Sequence, residues 1–282
     1  MSKAVKEIPL KSDQNSHAHG IVFKAKWAKS DLSAGSLRNW LVKKERFFLT
    51  RLAGKNGRVL DLGCGGGWRL FTRIGPVVGV DVSQLSLQSA TGLYSGAVLA
   101  SLTALPFADE CFDYIVSLDV LGHIPLESKD LALREIRRVL KTGGHTLHYI
   151  ETEGDDPLTR FSKRSPELYQ RYIVKPEGHI GLEPAPLAAE RFRKLGFHPL
   201  KESPVYKMLL YTSRVVQYFD NEYRGLSRPV AFLTSFCKLC VALGPVDLLA
   251  NLIVSLALEV TDHLLPQTWA SGLLVEYQKQ EI

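Results

Sequence analysis

Hydrophobic and polar positions alternate along the first half of the chain in the pattern of a parallel α/β sheet. Short apolar runs, several ending in an acidic residue, predict five strands: residues 58–61, 77–81, 97–100, 112–117 and 145–150. Helical periodicity separates them and predicts helices over residues 83–94 and 127–140, with a short helix over 68–74. Alternating strands and helices predict a parallel sheet with right-handed crossovers.

The two ends of the chain carry helical patterns outside this alternation. Apolar residues from Ile21 to Ala53 predict two helices joined near Gly35, after a polar leader. A sixth strand is expected over residues 198–210 and a seventh over 270–279. The intervening segment holds two strongly apolar stretches, at residues 229–243 and 246–265. Such a segment is far longer than a hairpin loop, which predicts a helical insertion.

The first strand leads into a turn dense in glycine, Gly63-Cys64-Gly65-Gly66-Gly67. Glycine tolerates positive φ and lets a ligand approach the backbone, and a following helix would offer free N–H groups. Trp68 occupies the place where a dinucleotide fingerprint requires a third, helix-packing glycine. Asp61 precedes the turn and would repel a pyrophosphate, whereas it would attract a cationic amino group. The pattern therefore favours a nucleoside ligand that carries an amine.

A second carboxylate, Asp81, ends the second strand 20 residues after Asp61. This is the spacing at which an acid meets ribose hydroxyls in nucleotide-binding βαβ units. Asp81 could also mark the start of the next helix, with Ser83 as its cap. The two roles are compatible, and the sequence favours the ribose role.

Composition narrows the class of protein without deciding it. The chain has 282 residues, 45% of them hydrophobic, which excludes a disordered chain. The net charge of +6 is not gathered into a run, so nucleic acid is not the expected partner. Cys237 and Cys240 have the spacing of a metal or redox pair, but no second pair accompanies them. We expect both to be buried small apolar residues, with no metal site.

Several motifs resemble those of the class I S-adenosylmethionine (SAM)-dependent methyltransferases, in their small-molecule branch. They are VLDLGCGGG from Val59, LPF from Leu105, FD from Phe112 and RVLKTGG from Arg138. The resemblance implies an α/β, Rossmann-like, doubly wound seven-stranded sheet with an antiparallel last strand. It predicts a leader and helical cap over residues 1–54, a SAM-binding core over 55–210, a helical insertion over 211–268 and the last strand over 269–282.

The resemblance also implies a set of cofactor contacts. Asp61 and the turn would meet the amino group of SAM, Asp81 the ribose, and Val82 and Leu102 the two faces of adenine. Ser101 stands where the family usually has an acid for the adenine amino group, and a neutral hydroxyl gives a weaker hydrogen bond. The full expected set is Asp61, Gly63, Cys64, Gly65, Asp81, Val82, Ser101, Leu102 and Leu118.

Two histidines are candidate general bases, because imidazole can accept a proton near neutral pH. His123 follows the fourth strand, whose end faces the sulfonium and the substrate in the resembled family. His179 matches a place that often lines the substrate site there. Each could instead be a packing or capping residue. The basic and aromatic stretch over residues 160–175 suits an anionic or sugar acceptor, or is simply a solvated helix.

These features predict a SAM-dependent methyltransferase that acts on an oxygen of a small-molecule, sugar or lipid-linked acceptor. Transfer to carbon or nitrogen, and a non-catalytic SAM-binding protein, are the alternatives. The insertion is expected to be a lid, a dimer contact or a peripheral membrane contact through residues 229–265. Its residues Asp247, Asn251, Ser255 and Glu259 form a polar stripe with a period of four. The N-terminus lacks the apolar core of a secretory signal, which favours the cytoplasm.

Overall fold

The computed structural model describes residues 43–208 and 210–281. The first described element is helix α1, Lys43–Arg51, which buries Phe47 and Phe48. The rest of the helical segment expected over residues 21–53, residues 21–42 with Trp27 and Trp40, lies outside the described part of the chain.

The strands form one seven-stranded sheet in the order β3-β2-β1-β4-β5-β7-β6. They are β1 Val59–Leu62, β2 Val77–Asp81, β3 Gly96–Leu99, β4 Phe112–Leu118, β5 Leu140–Glu151, β6 Phe197–Val205 and β7 Gly272–Lys279. Strands β1 to β5 pair in parallel, whereas the end of the sheet is antiparallel. The doubly wound α/β fold expected from the alternating pattern is confirmed.

The α-helices of the described residues include those expected over residues 83–94 and 127–140 and in the insertion. They are α2 Gln84–Ala90, α3 Leu126–Val139, α4 Pro157–Lys163, α5 Pro166–Tyr169, α6 Lys175–Glu177, α7 Ala185–Lys194, α8 Thr212–Phe219, α9 Tyr223–Leu226, α10 Arg228–Ala242 and α11 Pro245–Leu264. A π-helical turn, Gln170–Val174, lies between α5 and α6. None of the helices in residues 43–208 and 210–281 combines the length and the apolar character needed to cross a membrane.

The expected short helix over residues 68–74 is wrong. Only a 3-10 turn, Phe71–Arg73, forms between β1 and β2. The backbone hydrogen bonds of this segment span three residues, as from Phe71 N to Trp68 O at 3.1 Å and from Arg73 N to Leu70 O at 3.2 Å, and the preceding Gly65 and Gly67 have positive φ values of 51° and 82°. The backbone N–H of Trp68 is also taken, since it donates to Tyr94 Oη at 2.6 Å. The glycine turn therefore does not open an α-helix, and the expected set of free helix N–H groups is absent from it.

The chain divides into two compact units. Among the described residues, unit 1 comprises residues 43–150, Ala189–Glu202 and residues 274–281, and unit 2 comprises Glu151–Ala188 and residues 203–208 and 210–273. Both have apolar cores, as a chain with this hydrophobic fraction allows.

In unit 1 the central strand β1 is buried at all four positions. It pairs with β2 on one side and with β4 on the other, so Leu62 lies level with Val80 and with Ser117. The strand order runs outward to β2 and β3 on one side of β1 and to β4 and β5 on the other. This topological switch point between β1 and β4 leaves a crevice beyond their carboxyl ends. The glycine turn, Asp81 and the end of β4 consequently lie at the same edge of the sheet.

In unit 2 the core is built from α8, α9 and α10. Phe219 and Tyr223 are fully buried and their ring centroids are 5.3 Å apart. The inner face of α10 contributes Cys237 and Cys240, which are 3% and 2% exposed. Both are free thiols. The prediction that these two cysteines act as small buried apolar residues is confirmed.

Candidate cofactor site and active site

Two glycines of the turn after β1 are required for different reasons. Gly63 has a φ of 59°, and a Cβ there would lie 2.5 Å from Val120 Cγ2. Gly65 has a φ of 51°, but a Cβ there would meet no atom within 4 Å. Gly63 thus permits close packing against the segment after β4, whereas Gly65 borders open space. Open space beside a glycine backbone is where a ligand can approach closely.

Asp81 joins the end of β2 to the glycine turn. Its Oδ2 accepts a hydrogen bond from Gly65 N at 2.9 Å, and its Oδ1 accepts one from Ser83 N at 2.8 Å. Ser83 in turn caps α2, because its Oγ accepts from Ser86 N. Asp81 is only half-buried. Two backbone donors therefore fix Asp81 in position, and its carboxylate remains accessible to the hydroxyl groups of a ligand.

Asp61 is buried, with only 4% of its surface exposed. Its Oδ2 accepts a hydrogen bond from Tyr94 Oη at 2.6 Å, and that same oxygen of Tyr94 accepts from Trp68 N. Burial raises the pKa of the Asp61 carboxyl to about 7; the Tyr94 hydrogen bond works against this rise, and nearby Asp81 adds to it. Asp61 is consequently poised to ionise when a cation is placed beside it.

Cys64 packs within the site without the properties of a nucleophile. Its Sγ would lie 2.6 Å from a Cβ on Gly79, so the thiol fills the space above β2 that this glycine leaves. Burial, with Asp61 and Asp81 nearby, strongly raises the pKa of the thiol. The neutral thiol serves as a small apolar contact.

The three residues expected around adenine differ in exposure. Val82 is 55% exposed, Leu102 is buried and Ser101 is half-buried. Ser101 Oγ lies 2.8 Å from Thr103 Oγ1 and accepts from Thr103 N at 3.2 Å. The exposed isopropyl group of Val82 is available to cover a flat ring, whereas the hydroxyl of Ser101 is engaged in a local turn.

A pair of charged residues at the end of β4 was not predicted. Leu118 ends the strand, and Asp119 follows with a φ of 57°. Such a conformation is strained for a residue other than glycine. Asp119 Oδ2 accepts from Lys44 Nζ at 2.7 Å, and Lys44 also lies over the ring of Tyr149 at 5.0 Å. This ion pair brings α1 to the edge of the sheet that holds the glycine turn.

The two candidate bases are held differently. His123 is half-buried and closes a 3-10 turn, Leu121–His123, that follows β4. His179, in unit 2, has Nε2 at 3.5 Å from Oε1 of Glu151, the last residue of β5. A carboxylate beside an imidazole orients the ring. The structure thus supplies His179 with the acidic partner that the sequence did not identify.

The basic stretch over residues 160–175 is less positive than its composition indicates. Within unit 2, Arg160 pairs with Asp155 at 3.7 Å and Lys163 pairs with Glu153 at 3.0 Å. Arg171 Nη1 lies 3.1 Å from Glu222 Oε1. Because these cations already have acidic partners, the stretch gives little support to a dedicated anion-binding rim.

The residues at this edge of unit 1 fit a SAM molecule. Asp61 offers a carboxylate for a cationic amine, Asp81 offers one for ribose hydroxyls, and the turn at Gly65 leaves room beside its backbone. SAM requires an anionic group for its amine, hydrogen-bonding groups for its ribose and an apolar surface for adenine. The carboxylates of Asp61 and Asp81 and the exposed side chain of Val82 provide all three.

Comparison with known proteins also indicates a methyltransferase. Residues 60–148 match the model of the methyltransferase domain family. The chain is 32% identical over 146 residues to a protein of Encephalitozoon cuniculi named as a methyltransferase, covering 51% of this chain and 68% of that protein. This chain belongs to the class I SAM-dependent methyltransferases. Its cofactor is SAM, and the chain is a SAM-dependent methyltransferase enzyme.

Other similar proteins share shorter regions or the fold alone. The methyltransferase is 40% identical over 117 residues to the malonyl-[acyl-carrier protein] O-methyltransferase of Erwinia pyrifoliae, covering 39% of this chain and 43% of that protein. A solved structure of a Bacillus halodurans protein named as a methyltransferase aligns with a TM-score of 0.53 at 16% identity, covering 83% of this chain and 97% of that one. The chain thus spans less than half of the Erwinia relative, and the last match concerns the fold.

Proposed function

We propose that this methyltransferase transfers the methyl group of SAM to an oxygen atom of a small-molecule, sugar or lipid-linked acceptor. The observation that carries the proposal is the His179–Glu151 pair, whose Nε2 and Oε1 atoms lie 3.5 Å apart. A hydroxyl group must lose its proton when it is methylated, and an imidazole oriented by a carboxylate is suited to accept that proton. The O-methyltransferase name of the Erwinia relative also supports an oxygen acceptor.

The other groups of the chain bind and orient in this proposal. SAM, when bound, supplies a methyl group activated by a positively charged sulfur. Asp61 holds the amine, Asp81 holds the ribose, and Val82 and Leu102 shield the adenine from water. Holding the reactants in line removes much of the entropic barrier to the transfer, so positioning carries a large share of the rate. His179 then takes the acceptor proton, with His123 as the second candidate.

The acceptor atom can be identified by carbon NMR. The enzyme is incubated with a metabolite extract and SAM labelled with carbon-13 at the methyl group, and the labelled product is isolated. We expect a new signal in the methoxy range. A labelled methyl signal in the range of carbon-bound or nitrogen-bound methyl groups would contradict the proposal and establish transfer to that atom instead.

The proton acceptor can be tested separately by substitution. His179→Ala should lower turnover about a hundredfold or more, because general-base catalysis contributes about 10²–10⁴-fold. The affinity for SAM should not change. His198→Ala is the matched control, since His198 is an exposed histidine on β6. If His179→Ala turns over as fast as the control, His179 is not the base.

A further inference from the structure

Helices α10 and α11 of unit 2 expose apolar side chains to solvent, and α11 buries polar ones. This is the reverse of the usual arrangement in a surface helix. On α11, Asn251 Oδ1 accepts from Thr212 N at 3.1 Å, while Ser255 and Asp262 are buried. Asp262 accepts hydrogen bonds from the backbone of Tyr206 and Lys207. The polar stripe predicted from the sequence is therefore turned into the protein, where it holds the segment before α8.

The solvent side of the same helices is apolar. On α10, Phe232 and Phe236 are 76% and 54% exposed, and on α11 Leu248, Val260 and Leu264 are 72%, 63% and 79% exposed. We refer to the exposed side of residues 228–264 as the outer face. A helix of a water-soluble protein normally turns its polar side to solvent. Monomeric proteins seldom expose a continuous apolar patch of this kind unless it contacts something.

The charges on the outer face are of one sign. Arg228 and Lys238 are exposed, and Lys238 Nζ lies 2.8 Å from the half-buried Asp220. Within residues 228–264, all of which the structure describes, no acidic side chain is exposed: Asp247 and Glu259 are half-buried and Asp262 is buried. Because Lys238 already pairs with Asp220, Arg228 is the cation that this argument uses. An apolar face that exposes an arginine and no acid is complementary to a surface of acyl chains and anionic headgroups.

We propose that the outer face binds the surface of an anionic lipid bilayer. A second copy of the chain fits less well, because its outer face would offer apolar side chains but no exposed acid to receive Arg228 of the first copy. A bilayer supplies phosphate groups for Arg228 and an apolar layer for Phe232, Phe236 and the aliphatic residues of α11. The proposal does not depend on the acceptor, because vesicle binding requires neither SAM nor substrate.

Vesicle flotation tests the proposal with the whole chain. Vesicles of phosphatidylcholine with phosphatidylglycerol should carry the enzyme to the top of a density gradient, and vesicles of phosphatidylcholine alone should carry less. The double variant Phe232→Gln/Phe236→Gln should lower the partition coefficient at least about tenfold, since each buried aromatic ring contributes strongly to transfer from water. Its thermal unfolding should be unchanged, because both rings are exposed.

The double variant Leu131→Gln/Leu200→Gln is the matched control, because both leucines are exposed and lie outside residues 228–264. It should float as the unmodified enzyme does. Equal flotation of the two double variants, or a protein that stays at the bottom with both kinds of vesicle, overturns the proposal. Analytical ultracentrifugation without lipid provides the second measurement. A dimer that the Phe232→Gln/Phe236→Gln change dissociates would assign the outer face to a second copy instead.

Discussion

At the scale of single residues, Asp61 links cofactor binding to pH. Burial raises the pKa of its carboxyl to about 7, so much of the cofactor-free enzyme carries this group protonated below that pH. If the amine of SAM lies beside Asp61, binding favours the carboxylate and releases a proton. We expect the affinity for SAM to fall as the pH drops below about 7, by up to about tenfold per pH unit.

Calorimetry can measure that proton directly. Titrations of SAM in buffers with different ionisation enthalpies should show release of protons at pH 6 and little release at pH 8. Asp61→Asn removes the titrating group and should abolish both the release and the pH dependence, at a lower affinity. A wild-type enzyme that binds SAM equally well at the two pH values contradicts the contact between Asp61 and the amine.

Tyr94 should tune this dependence, because its hydroxyl donates to Asp61 Oδ2 and stabilises the charged form. Tyr94→Phe removes that donor and also the acceptor for Trp68 N. The pKa of Asp61 should rise further, which moves the pH range of weak SAM binding upward. The loss of two buried hydrogen bonds should lower the free energy of unfolding by about 1–3 kcal/mol. A purely structural role for Tyr94 would leave the pH profile in place.

A second buried group, His148, acts on stability in the opposite direction. It lies between Ser117 Oγ at 2.7 Å and Thr146 Oγ1 at 2.5 Å, and burial lowers its pKa from 6.5 to about 3. The unfolded chain binds a proton at this site below pH 6.5, whereas the folded chain does not. The stability contributed by neutral His148 is therefore lost as the pH falls from 6.5 toward 3.

Asp61 opposes this loss between pH 4 and 6.5. Its folded pKa is raised from 3.8 to about 7, so it contributes stability below 3.8 that is lost as the pH rises toward 7. The contributions of Asp61 and His148 to the pH dependence therefore oppose each other in the unmodified enzyme. Denaturant titrations of Asp61→Asn should reveal the His148 slope, a loss of up to about 1.4 kcal/mol per pH unit on acidification. For His148→Gln the free energy of unfolding should change with pH in the opposite direction. Equal slopes in the two variants would contradict these opposing contributions of Asp61 and His148.

At the scale of elements, the glycine turn offers a matched pair of substitutions. Gly63→Ala and Gly65→Ala both place a side chain at positive φ, which costs about 1 kcal/mol. Gly63→Ala adds a clash with Val120, so it should unfold the enzyme at markedly lower denaturant concentration. Gly65→Ala meets no protein atom and should remain folded but bind SAM poorly. Val120→Ala should recover part of the stability of Gly63→Ala and none of the affinity of Gly65→Ala.

The sequence predicted most elements of the sheet because their signals are local. Apolar runs ending in Asp61 and Asp81 identify β1 and β2, and Ser83 identifies the start of α2. The prediction of a short helix after the turn was wrong because it rested on apolar spacing alone, whereas the segment follows consecutive glycines and its first residue, Trp68, donates its backbone N–H to the distant Tyr94. The Lys44–Asp119 pair joins residues 75 positions apart, and no local pattern indicates such a contact.

In the candidate site too, local features were predictable and contacts between distant residues were not. Strand-end acids follow directly from the pattern, and His179 was named from the resemblance. Its pairing with Glu151 was not, because the two residues are separated by α4 to α6 and only the folded chain brings them to 3.5 Å. An acid at a strand end is itself a signal, and Glu151 at the end of β5 and Asp119 after β4 show the same local pattern as Asp61 and Asp81.

At the scale of the whole molecule, the division into two units determines which unfolding transition SAM binding should shift. Asp61, Gly65, Asp81 and Val82 all belong to unit 1. A ligand that binds only the folded form stabilises the part that holds it, by about 2.7 kcal/mol at a concentration one hundred times the dissociation constant. SAM should therefore raise the unfolding midpoint of unit 1, and a chain with two compact units can show more than one transition.

Asp81→Asn separates this effect from general destabilisation. An amide cannot accept from both Gly65 N and Ser83 N through its two ends, so the variant should unfold at a lower temperature even without SAM. The informative quantity is the shift that SAM causes, measured by differential scanning calorimetry. We expect a clear shift for the unmodified enzyme and little for Asp81→Asn at the same SAM concentration. An undiminished shift in Asp81→Asn would mean that the ribose is held elsewhere, because the acid would then contribute only to the folding of the turn.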